Sequence, residues 1–158
     1  MTALFPWFVF VHIVGLVLFV ACHGVSMFAA FRMRARPDRS QVTLLLELSN
    51  TSNRAMYLGL LLLAVGGLGA GAAQGLLTAG WVVSTTVVLV LVIVAMYAVG
   101  ARFYYGLRDR LATAADAPTF LSDEELASTL RNRIPDILAA IGVGGLVVMI
   151  WLMVVKPI

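Results

Sequence analysis

A chain of 158 residues that is 61% hydrophobic and 12% charged, with a mean hydropathy of +0.99, lies outside soluble globular usage and describes an integral membrane protein. Its one cysteine, Cys22, excludes an intrachain disulfide, and the arginines that carry its formal charge of +3 are placed as topology markers, which argues against a nucleic-acid partner. The first apolar segment is too long for a cleaved secretory signal and has its arginines on the wrong flank, so Met1 is expected to begin the mature chain.

Four apolar segments, at about 5–31, 55–79, 81–104 and 135–155, predict a single transmembrane domain over residues 1–158: an all-α, integral membrane four-helix bundle. Ten arginines (32, 34, 36, 39, 54, 102, 108, 110, 131 and 133) and all eight acidic residues fall in or beside the connections 32–54 and 105–134. Trp7, Trp81 and Trp151 sit at the opposite ends of their segments, where an outer aromatic belt belongs. Both signals predict cytoplasmic connections and both termini outside, in a bacterial plasma (inner) membrane.

From Phe5 to Phe31 there is no charge, and at about 1.5 Å per residue this stretch spans roughly 40 Å, more than the roughly 30 Å bilayer core. It carries the only two histidines, His12 and His23. Their spacing is three helical turns plus roughly 20°, so they share one face about 16 Å apart. Counted from Arg32, His23 lies about 13 Å and His12 about 30 Å into the membrane. One helix therefore cannot aim both at one metal; a cofactor here means two sites, or one completed by another helix or subunit.

Residues 40–48 read as a short interfacial helix or as an extension of the second span. The second span then carries Gly67, Gly71 and Gly75, with Gly59 on the same row. Such a track usually admits a neighbouring helix, and less often a flat porphyrin. The short link at Gly80-Trp81 predicts that the second and third spans form an antiparallel hairpin. In the second connection Ser122-Asp123-Glu124-Glu125 is a capping box that starts an amphipathic helix over 123–133. Pro135 suits the first turn of the last span, with Asp136 near its positive end, and Asn50, Asn53 and Asn132 are candidate caps of inner helix ends.

Ionisable residues within a span are costly and usually functional, although each histidine can instead hydrogen-bond a neighbouring helix. Neutral imidazole is a common axial ligand of haem iron and methionine can be the other. Met27, Met56 and Met96 are placed for that, or for ordinary packing. Cys22 beside His23 permits a copper reading, weakened because adjacent helical residues point about 100° apart. Arg54, with Arg102, Arg131 and Arg133, is placed to meet haem propionates, or simply to anchor the inner surface. No Cys-x-x-Cys, His-Glu-x-x-His or phosphate-binding glycine loop supports a zinc site, a nuclease or a hydrolase.

The start, Val11-His12-Ile13-Val14-Gly15-Leu16-Val17-Leu18, and the end, Asn132-Arg133-Ile134-Pro135 with Val154-Val155-Lys156-Pro157-Ile158, resemble the ends of the HemJ-type protoporphyrinogen oxidase family. The layout is also similar to CopD-like copper-resistance membrane domains. The first resemblance implies a small multi-span bacterial membrane protein that binds haem b, with His12 as the family-type histidine. The chain departs at Leu18 in place of a tryptophan, at Met27 in place of an arginine that is otherwise displaced to Arg32, and in a third span without lysine; His23 is additional. The expectation is a b-type haem protein using His12 and/or His23 as metal ligands in a redox or tetrapyrrole-related role. Whether it is an enzyme, an oxidoreductase, stays open. Its partners are the lipid bilayer and a second copy, as a homodimer or larger homo-oligomer, or other membrane subunits. The alternatives are a non-enzymatic accessory or assembly subunit, and a copper or small-solute transport protein.

Overall fold

A computed structural model describes residues 3–113 and 120–157, and among these the secondary structure is all helical. Helix α1 (Phe5–Ala35) has Pro6 in its first turn, where the missing N–H costs nothing, and ends before Pro37. Asp38 caps α2 (Arg39–Ala73) by accepting the Gln41 N–H at 3.1 Å. The α2 helix is continuous, so residues 40–48 extend the second span and form no separate interfacial helix. After Ala73 the chain turns through Gly75 at φ 70°, a conformation that glycine adopts without a Cβ penalty. Helix α3 (Gly80–Met96) runs through a π-turn (Tyr97–Ala101) into α4 (Arg102–Leu111). The expected capping box between Ser122 and Glu125 is complete and starts α5 (Asp123–Leu130), three residues shorter than the predicted 123–133. Asn132 accepts the Ile134 N–H at 2.8 Å at the start of α6 (Ile134–Val155). Residues 114–119 of the second connection lie outside the described residues.

Four helical stretches, Phe5–Ala35, Arg39–Ala73, Gly80–Leu111 and Asp123–Val155, are long and apolar enough to cross a membrane. Their large exposed side chains, among them Phe10, Val17, Leu61, Val90 and Val147, suit a lipid surround.

Packing divides the bundle into two pairs. Along α1 and α2 the backbones touch: a Cβ on Gly15 would lie 2.3 Å from the Leu63 nitrogen, and one on Gly66 would lie 2.4 Å from the His12 nitrogen. Gly59 closes on Phe19 in the same way, at 2.7 Å. Without a hydrophobic drive between helices in lipid, such close approach is what associates them. The contact therefore runs through Gly15, Gly59 and Gly66: of the expected row, Gly59 meets the α1 backbone and Gly67 the His12 ring, whereas Gly71 meets Leu77 and Gly75 lies in the turn. The expected hairpin of second and third spans is also corrected: α3 packs on α6, and α2 and α3 do not pack along their length. A short link fixes how near two helix ends are, whereas side-chain shape decides which faces meet.

The fully buried core lies at the arginine-rich end. Met33 of α1 and Val42 of α2 meet Leu107, Leu121, Leu126 and Leu130, which closes that end of the bundle. Around it, Arg34 pairs with Asp136 at 2.6 Å and Arg39 with Asp123 at 3.2 Å. Arg39 also donates to the Leu121 carbonyl and stacks over Phe120 at 4.5 Å. At the other end Lys156 lies 5.2 Å over the Trp81 ring, joining α6 to α3.

Candidate functional site

Two cavities lie between the two helix pairs, one at each depth. The inner cavity, towards the arginines, holds about 500 Å³, and the outer, towards the tryptophans, about 460 Å³. Both fall within the roughly 300–1,000 Å³ of small-molecule and cofactor sites. Each histidine lines one of them, His23 the inner and His12 the outer, so the spacing read from the sequence becomes two sites.

His12 is held by α2. Its Nδ1 lies 2.7 Å from the Leu63 carbonyl oxygen, which can only accept, so Nδ1 carries the proton and Nε2 keeps its lone pair. Gly67 leaves room for the ring, since a Cβ there would stand 2.9 Å from Nδ1. Gly67 and Gly71 form a wall of the outer cavity, facing Trp81, Thr85, Met153 and Lys156. Imidazole oriented through Nδ1–H to a backbone carbonyl is the usual arrangement of a metal-ligating histidine.

His23 is seated differently. Its ring stacks on Phe19 with centroids 5.9 Å apart, and its Nε2 is buried with no hydrogen-bond partner. That nitrogen occupies a notch at Gly142 of α6, where a Cβ would lie 2.5 Å away. Met27, Met56 and Met96 join His23 in lining the inner cavity, as do Met33 and Met149. Cys22 lines neither cavity, so the copper set of Cys, His and Met is not brought together. Among the described residues, no cluster of three or more His, Cys, Asp or Glu side chains is placed to hold a metal ion.

At its arginine-rich mouth the inner cavity becomes polar. Ser26 donates to the Asn53 side-chain oxygen at 2.9 Å, leaving the Asn53 amide hydrogens free, and Asn50 stands beside them. Both asparagines lie mid-helix in α2 and cap nothing, contrary to expectation. Arg54 lines neither cavity; the arginine that does is Arg108, which is itself exposed at the cavity's edge. The π-turn explains this. Leu89 borders both cavities, and Arg108 stands 19 residues later, which in a regular α-helix is about 100° off the Leu89 face. One wide turn at Tyr97–Ala101 absorbs roughly one residue, about 100°, and returns Tyr104 and Arg108 to the cavity.

No protein-family model, no curated protein and no solved structure matches the chain.

Proposed function

We propose that this chain is a bacterial plasma-membrane protein that binds b-type haem in the outer cavity, where His12 Nε2 would hold it, in a redox or tetrapyrrole-related role. The observation that carries this reading is the His12–Leu63 hydrogen bond beside a glycine-walled cavity. Leu63 aims the ring, Gly67 leaves the space that the His12 ring fills, and Gly71 lies against Leu77 in the same cavity wall. Met153 lines the same cavity and is the candidate second ligand, a residue to which the spacing on α1 did not point. Haem, when bound, supplies one-electron chemistry; the protein supplies orientation, an apolar surround and, at the rim, the cation of Lys156. His23 is the weaker ligand candidate, because its Nε2 is shut against α6.

Both termini outside, and self-association of the bundle, belong to the same reading. The first rests on the arginine and tryptophan distribution, the second on exposed apolar side chains away from the α2–α3 flank, such as Val143, Val147 and Ile150 of α6. The resemblance to the HemJ-type family agrees with haem at His12.

The test is the visible spectrum of the detergent-purified protein with His12→Ala, His23→Ala and the double variant. A Soret band lost in His12→Ala and kept in His23→Ala is the expected outcome. Full haem occupancy in all three, or no haem in any preparation supplied with it, overturns the reading.

A further inference from the structure

The inner cavity is an amphipathic container whose polar end carries hydrogen-bond donors. Arg108, Asn50 and Asn53 stand at the arginine-rich end, and among the described residues no Asp or Glu lines the cavity. Among the described residues Arg108 makes no ion pair, whereas Arg34 and Arg39 are both engaged. The π-turn that brings the exposed Arg108 to the cavity's edge departs from regular helix geometry, and such turns concentrate at functional sites. Above this mouth the walls are Met27, Met56, Leu60, Leu89 and Met149, apolar and adaptable because methionine has three rotatable bonds.

The way in is lateral. Tyr57, Ile93, Val94 and Tyr97 line the cavity and are also exposed, on the flank where α2 and α3 do not pack. A solute entering there comes from the bilayer, with its polar end at the arginine level.

We infer that the inner cavity binds a single-chain anionic amphiphile from the membrane, its carboxylate or phosphate oxygens on Arg108 and the Asn50 and Asn53 amides, its chain among the methionines. A guanidinium fork and two amide donors match the paired oxygens of either head group. This site is separate from the outer cavity and does not depend on haem being there.

The experiment uses the full chain in a sugar-headgroup detergent, with radiolabelled palmitate as probe and hexadecyl phosphate, hexadecanol and inorganic phosphate as competitors. Palmitate is expected to bind one per chain and to be displaced by hexadecyl phosphate, but not by hexadecanol or inorganic phosphate. Displacement by inorganic phosphate alone would mean a free-anion site, and equal displacement by hexadecanol a merely greasy pocket; either result overturns the inference. Arg108→Gln should weaken palmitate about tenfold, the scale of one charge-assisted bond. Asn53→Leu tests the second donor, and a melting temperature recorded for each variant shows that it is folded. Wild-type affinity in folded Arg108→Gln overturns the assignment. Failure of the haem reading would leave palmitate binding intact, and failure here would leave the Soret band intact, so the two are told apart.

Discussion

Arg34 grips Asp136 with two parallel bonds, Nη1 to Oδ2 at 2.6 Å and Nη2 to Oδ1 at 3.1 Å, tying the end of α1 to the start of α6. Because α1 and α6 otherwise meet little, this pair helps set the distance between the two halves of the bundle. Both partners are partly exposed, so water screens much of the attraction. Arg34→Gln and Asp136→Asn should each lower the melting temperature slightly, and the double variant no further than the worse single one. Additive losses in thermal unfolding would show that the two residues act separately.

Glycines of the second span should divide into two classes. Gly66→Ala drives a Cβ into the His12 backbone and must part α1 from α2, an overpacking cost of about 1–3 kcal/mol. Gly71→Leu instead reaches the Leu77 side chain and intrudes on the outer cavity. It should leave unfolding nearly unchanged and remove haem. Comparing melting temperature with Soret absorbance per chain for the two variants checks this, and the reverse pattern would return Gly71 to helix packing.

The notch at Gly142 gives a third test. Gly142→Ala places a methyl group where His23 Nε2 now lies, so the ring must rotate off Phe19. Histidine side-chain nitrogen resonances should move for His23 and stay fixed for His12, whose ring rests on α2. Movement of both would mean that the two seats are coupled through α1.

Acid should act at the α1–α2 corner. The Ser40 hydroxyl, at 2.5 Å, and then the Gln41 N–H hold the Asp38 carboxyl below its ordinary value. A depressed folded-state value stabilises above the ordinary pKa of about 3.9, and that stabilisation is lost as pH falls through the folded value. Asp38→Ala should thus melt earlier than wild type at neutral pH, with the gap narrowing below about pH 4. A gap independent of pH would assign the loss to the cap geometry alone.

Topology is open to direct mapping: a reporter fused after Ile158 should be external and one inserted near Ala115 cytoplasmic. The opposite result would invert every depth argued from the arginines.

The four long apolar helices, the separation of the two histidines, the capping box and the Asn132 turn are legible because each follows from local rules: hydropathy, a 100° step, a Ser-x-x-Glu pattern. Pairing of the helices was not, since it depends on Gly15 meeting Gly59 and Gly66 across the chain, and one glycine on α1 carries no signal by itself. The glycine row on α2 was visible, but not that Gly67 and Gly71 face a cavity. Arg108 was overlooked in favour of Arg54 because regular helix geometry turns it away; nothing in Tyr97–Ala101 announces a π-turn.

Where the apolar core sits has a mechanical meaning. Met33, Val42, Leu107, Leu121, Leu126 and Leu130 cluster at the arginine level, where water is present to drive them together. Within the hydrocarbon that drive vanishes, and there the pairs are bridged by the seat of His23 at Gly142 and, at the far end, by the chain link through Gly75. The molecule is built like a purse: water draws the rim shut at the arginine level, the link stitches the far end, and the lining between them is left slack for a guest. Agents that weaken the grip of water, such as urea or cooling, should therefore loosen the rim before they part α1 from α2.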